Sequence, residues 1–347
     1  MTSPLYTPAV TGRGRGLLAL LLALGTAALA AAPAAAKLPL LGDLLPAKPV
    51  VRKLGPTAPV VPGSMPEAQF LALLKNGDLQ ALNLACQEAA SFGFNQRLLL
   101  LQERLLKVAP PPQPLAVVLV NANALLSCRA PDAALAVLNR FGPRPGLERD
   151  QWLLMRWRAA QAGLHHAMAA EALEQLAKGD LARLDTIPLP LQVRKDGSLE
   201  TLPALDLYAE HLIVLGRDRE AAAALLAGQR SGQVAAERLQ LAVSLLKELP
   251  WQQRESLLER ALDQAAAAQA WGLALALLED QRQLLQAEGV SASRSNQRLQ
   301  RLSQRVDDAY SEWQLKRQDP SQASRSAQLQ QQLRSPRQPG GHASSLP

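Results

Sequence analysis

Between Glu67 and about Gln318 the chain alternates two kinds of stretch. Runs of roughly 10–18 residues, rich in the good helix formers Leu, Ala, Gln, Glu and Arg, are separated by short interruptions carrying glycine, proline or clustered polar residues. Within the runs, apolar residues recur at three- and four-residue spacing, as in Leu205, Tyr208, Ala209 and Leu212, which is the period of an amphipathic helix. The interruptions fall at 76–78, 92–94, 109–114, 128–132, 141–146, 162–164, 216–218, 231–233, 249–251 and 288–290. Connections this short place consecutive helices antiparallel. The pattern predicts an all-α fold of about a dozen helices, arranged as an irregular array of hairpins.

One hairpin is the clearest. Gly216 ends a helix, the charged Arg217, Asp218, Arg219 and Glu220 cross the turn, and Ala221–Leu226 form an apolar run with no aromatic residue. Large Leu205, large Tyr208, small Ala209, large Leu212, small Ala221, large Leu225 and small Gly228 together resemble the size pattern of a tetratricopeptide repeat. The helix-ending proline of that repeat is missing, with Gln233 at its place. A partial second copy appears at Val118, Ala122, Leu125, Ala134 and Leu138. The resemblance implies a TPR-like α-solenoid that presents a concave surface to a protein segment. The junction alanines Ala81, Ala133, Ala167, Ala221 and Ala274 are 52, 34, 54 and 53 residues apart, so one interval alone matches a repeat of about 34 and the others are expected to hold three helices each.

Two segments depart from the plain helical pattern. Residues 187–203, "IPLPLQVRKDGSLETLP", alternate like strands around Asp196-Gly197 and predict a short β-hairpin insertion. Lys195, Asp196 and Gly197 form its loop, with Gly197 left-handed and Val193 opposite Leu199. The insertion is either a binding feature or a bridge between helices. Residues 291–318 read as one terminal helix, with an apolar stripe of Leu299, Leu302, Val306, Ala309 and Trp313. A second stripe, Arg294, Arg298, Arg301 and Arg305, lies about 100° around it. This helix either caps the array or docks on a partner or an anionic surface, with the four arginines as the candidate interaction surface.

The two ends carry different patterns. In residues 1–36, Arg13 and Arg15 precede a short apolar run that closes on small residues, the layout of a secretory signal peptide, with an uncleaved anchor as the alternative. Residues 37–66 carry a proline every few positions and read as an extended linker. Residues 319–347 have little to bury and are expected to be a disordered tail. The net charge of +7 belongs to these ends, because residues 67–290 hold 22 Lys/Arg against 25 Asp/Glu. With 3% aromatic residues, the chain lacks a stacking platform for bases, and no nucleic-acid partner is expected.

Little in the sequence points to chemistry. There is no P-loop, nucleophile elbow, H-E-x-x-H or C-x-x-C. His165 and His166 are adjacent and diverge by about 100° on a helix. His211 with Asp206 and Glu210 forms a somewhat better polar cluster. No cofactor, metal or catalytic residue is expected. Cys86 and Cys128 lie two helices apart and are expected to form a disulfide after export, the alternative being two buried free thiols. The expected role is an exported, non-enzymatic scaffold for a protein partner in the periplasm or cell envelope. The alternative is an envelope-associated structural protein held by its basic ends on an anionic membrane or wall polymer.

Overall fold

The computed structural model describes residues 64–108, 111–193, 197–317 and 319–334. The chain divides into two units, Met1–Pro66 and Glu67–Pro347. The expected signal peptide (1–36), and the linker up to residue 63, lie outside the described residues. The second unit is all-α with one small antiparallel sheet.

After α1 (Glu67–Asn76) the helices pair as hairpins. They are α2 (Leu79–Phe92) with α3 (Asn95–Lys107), α4 (Leu115–Ser127) with α5 (Pro131–Leu138), and α6 (Leu147–Ala162) with α7 (His166–Ala177). A 3-10 helix, Leu181–Thr186, then leads into strands β1 (Pro188–Val193) and β2 (Leu199–Pro203). The fourth hairpin is α8 (Ala204–Val214) with α9 (Asp218–Leu226), followed by the single helix α10 (Gln233–Leu245). The fifth is α11 (Trp251–Ala267) with α12 (Trp271–Ala287), and the sixth is α13 (Ser293–Arg305) with α14 (Ala309–Lys316). Helix α15 (Ala323–Leu333) closes the described part.

All six hairpins turn in the same way. A residue with φ between +54° and +71° follows the first helix: Gly93, Arg129, Leu164, Gly216, Gln269 and Asp307. The next residue sends its N–H back five positions, as Phe94 does to Ala89 at 2.8 Å and Arg217 to Leu212 at 2.9 Å. This is the Schellman closure, which satisfies a carbonyl that the helix end leaves open. The second helix starts one residue later, and its fourth residue bonds back to the turn. That slot holds Leu98, Ala134, Ala169, Ala221, Ala274 and Glu312, all buried.

The slot corrects the expected register. Ala221 and Ala274 occupy it, but Ala134 and Ala169 take the places assigned to Ala133 and Ala167, and Ala167 is exposed. Ala81 lies in the first helix of its hairpin, outside the slot. The four alanine slots are therefore 35, 52 and 53 residues apart. The first long interval holds the 3-10 helix and the β-hairpin in addition to two helices, not three helices. The second contains α10, which packs between α9 and α11.

The β-hairpin has the expected register, with Val193 opposite Leu199 and Gly197 left-handed at φ +82°. Leu191 is skipped between the Pro190–Thr201 and Gln192–Glu200 pairs, which makes a bulge in β1. Lys195 and Asp196 of the expected loop lie outside the described residues.

The C-terminal expectation needs two corrections. Residues 291–318 are two helices, because Asp307 adopts a left-handed backbone and Asp308 caps α14 through Tyr310 N–H and Ser311 N–H. The tail does not begin without structure at 319, since α15 packs on α14, buries Leu329 and places Arg325 against Glu312 at 3.0 Å. These extra helices bring the described total to fifteen rather than about a dozen. Residues 335–347 lie outside the described residues.

The slot assignment has a direct check. Ala169→Leu overfills a closed contact and is expected to cost about 1–3 kcal/mol in urea unfolding. Ala167→Leu, two residues away on the exposed side, should change stability by less than about 0.5 kcal/mol. Equal effects at the two positions would remove the slot.

Candidate functional site

The β-hairpin insertion interrupts the array after α7, and a buried ion cluster holds the 3-10 helix that leads into it. Asp180 starts the 3-10 helix by accepting the Ala182 N–H at 3.0 Å. That turn delivers Asp185 to the interior, 3% exposed. Arg238, 5% exposed on α10, meets it. One Asp185 oxygen accepts Arg238 Nη2 at 2.7 Å, and the other accepts the N–H groups of Gln229 and Arg230 at 2.9 and 3.0 Å. Asp206, in the first turn of α8, takes Arg238 Nε at 2.6 Å and Nη2 at 3.0 Å. The 3-10 helix and α8 are thereby tied to one guanidinium of α10, and the α9–α10 connection is tied to Asp185.

The charges fit this geometry. Burial alone pushes the Asp185 carboxyl up, but the bonds from Arg238, Gln229 and Arg230 outweigh it and hold the group at about 2. Burial opposes the charge on Arg238, and its two carboxylate partners more than restore it. One end of Arg238 remains over: Nη1 is buried and meets no acceptor among the described residues. A Cβ at Gly228 would sit 2.2 Å from Nη1, so glycine is what leaves room for it. Both residues line a cleft of about 320 Å³ between the α9–α10 connection, α10 and α11. Arg260 stands at the same cleft, and Arg230 lines it with its guanidinium held on Asp185, Nε 3.2 Å from the carboxylate and Nη2 donating to the backbone oxygen at 3.1 Å. A site of this kind supplies N–H donors, which suits it to hold an acceptor oxygen.

A second polar cluster explains the histidines. Trp157 donates its indole N–H to His211 Nε2 at 3.2 Å, so the His211 proton sits on Nδ1 and faces His166 Nδ1 at 3.1 Å. His211 is 1% exposed, and burial, with His166 adding to it, lowers its pKa to about 4. His165 turns the other way, to Asp132 at 2.5 Å. The expected cluster of Asp206, Glu210 and His211 is thus divided. Asp206 serves Arg238, His211 points inward to Trp157, and burial raises the pKa of Glu210.

The four arginines of α13 also have different fates. Arg298 Nη1 contacts both Glu259 oxygens at 2.7 and 2.8 Å. Gln281, buried on α12, donates to Glu259 at 2.7 Å and accepts from Ser295 at 3.0 Å. Together with Leu299, Leu302 and Val306 against the apolar cluster of α10–α12, these bonds make α13 an integral layer of the array. Arg294, Arg301 and Arg305 remain exposed.

Cys86 of α2 and Cys128 at the end of α4 are joined as a disulfide with Cα atoms 4.6 Å apart. Helices α2 and α4 pack side by side, so the bond staples the first two hairpins. In the chain-entropy view a loop of this length contributes about 4 kcal/mol.

The Asp185–Arg238 cluster went unseen in the sequence because its members are 53 residues apart. One signal was present: Arg238 lies four residues before Ala242 in the apolar stripe of α10, where a solvated arginine would not belong. Compared with known proteins, the chain matches no family model, and no curated protein is similar to it.

The histidine cluster generates a pH dependence. The native pKa of His211, about 4, lies below its ordinary 6.5, so the native state refuses a proton that the unfolded chain accepts. Stability is complete above pH 6.5 and falls as the pH drops toward 4. The urea midpoint should decline between pH 6.5 and 5, and His211→Gln should flatten that limb. A wild-type midpoint constant across this range would contradict the buried neutral His211.

Proposed function

We propose that the chain is a non-enzymatic, TPR-like helical-repeat scaffold that binds a segment of another protein in an exported compartment, after removal of residues 1–36. The observation that carries this reading is a pair of apolar side chains with no internal use. Leu84 and Val120 each precede the left-handed turn residue by nine positions, on the neighbouring helices α2 and α4. They are 58% and 46% exposed, although flanking residues of both helices are fully buried. Equivalent apolar positions repeated on adjacent first helices of hairpins form a surface suited to an extended or helical segment. The repeated turn supports the TPR-like reading, because every hairpin reverses through the same backbone closure.

A second reading, attachment to an anionic membrane or wall polymer, draws on the exposed Arg294, Arg301 and Arg305 of α13. The two readings separate in one experiment. Capture from envelope extract should recover a stoichiometric protein partner with the wild-type chain, and lose it with Leu84→Ser/Val120→Ser at unchanged melting temperature. Retention of the partner by that variant would remove the surface. Binding to anionic vesicles that vanishes with salt and with arginine-to-glutamine changes on α13, without any protein partner, would favour the second reading.

A further inference from the structure

We propose that the cleft beneath the α9–α10 connection is a subsite for a carboxylate carried on an acidic segment of the partner, an inference that rests on the scaffold reading above. The strongest indication is Arg238 Nη1, which belongs to a side chain 5% exposed and finds no acceptor, although the rest of the guanidinium is fully engaged. A buried donor left unpaired is costly, and a ligand oxygen removes that cost. A second indication is independent of the first. Helix α10 begins at Gly232 without a side-chain cap, and the Gly232 N–H is itself held by Gln264 at 2.7 Å. The amides of the following first turn have no partner within their helix and attract negative charge. Ala235, in that turn, lines the cleft.

The lining also selects among anions. Arg230, Arg238 and Arg260 line the cleft beside a single acidic side chain, Asp263. Behind them, Asp185 and Asp206 balance much of the charge on Arg238 and Arg230, so the field suits a monoanion better than a phosphate dianion. Leu225, Leu226 and Leu239 form an apolar wall, which gains nothing from a hydrated inorganic ion but covers the stem and neighbours of a glutamate or aspartate. A carboxylate also has the lone pairs to accept from a guanidinium edge and from backbone N–H groups together.

The test uses the whole chain and a fluorescent amidated peptide, Ala-Leu-Glu-Leu-Ala, beside its glutamine counterpart. Anisotropy should show the glutamate peptide binding about tenfold more tightly, since a charge-assisted bond of this kind is worth about 1.4 kcal/mol. Arg260→Gln lies at an exposed position and should weaken that binding several-fold without shifting the melting temperature. No binding, equal binding of the two peptides, or binding unaffected by Arg260→Gln would overturn the subsite. Saturating inorganic phosphate should displace the peptide poorly. Phosphate that binds more tightly than the peptide would instead assign the cleft to a free ion and overturn the proposal. A natural partner captured equally by wild type and the Arg260→Gln variant leaves the scaffold reading standing and removes only the subsite. Partner capture indifferent to Leu84→Ser/Val120→Ser, with glutamate-peptide binding intact, does the reverse.

Discussion

A chain that must reverse direction between two packed helices has few ways to do it in two residues. Here one residue takes a left-handed backbone and the next closes a hydrogen bond five positions back, six times over. This closure fixes the angle and the rotation of the second helix against the first. It therefore also fixes which residue falls at the closest approach, four positions after the turn. A side chain there must be small or fully accommodated, which is why alanine fills four of the six slots. The buried columns follow from the same constraint. Leu82, Val118, Leu153, Leu205 and Leu258 hold matching places in the first helices of five hairpins, and all are inaccessible to solvent.

Where the regular stacking is interrupted, polar clusters take over from apolar ones. At the 3-10 helix that leads into the β-hairpin, Arg238 bonds Asp185 and ties that turn to Asp206 of α8, while Asp185 also holds the α9–α10 connection. Such a cluster is costly to desolvate and poor at adding net stability, but it is specific about position. The Glu259–Gln281–Ser295 bonds do similar work where α13 joins α11 and α12. The cleft with the unpaired Nη1 lies at the first of these junctions.

Much of this was legible in the sequence, and the failures share a cause. Helix boundaries marked by glycine or proline, the Val193–Leu199 register and the approach of Cys86 to Cys128 all depend on local pattern or on simple neighbour relations. The turn at Asp307 lacks glycine, so nothing local announced it, whereas the glycine-free turn at Gln269 showed only through the junction alanine Ala274. Only two hairpins showed the repeat because one small position, Ala122 in the second and Ala209 in the fourth, is Cys86, Trp157, Leu262 or Gln300 elsewhere. Trp157 at that place reaches across to His211, so the departure from the size pattern and the buried histidine are one feature. Helix α15 was missed because only Leu329 of its residues is fully buried, too little to register as a period.

The central claim is that the left-handed closure sets the array, and glycine exchange at the turns tests it. Leu164 and Gln269 bear a Cβ in a backbone conformation that disfavours one. Leu164→Gly and Gln269→Gly should therefore raise the urea unfolding free energy, each by about 0.5–1 kcal/mol after the entropic cost of glycine. Gly216→Val, at the same turn position with open space around it, should lower it by more than about 1 kcal/mol through backbone strain alone. If both glycine substitutions destabilise the protein, or if Gly216→Val is neutral, these residues are not left-handed and the shared turn is wrong.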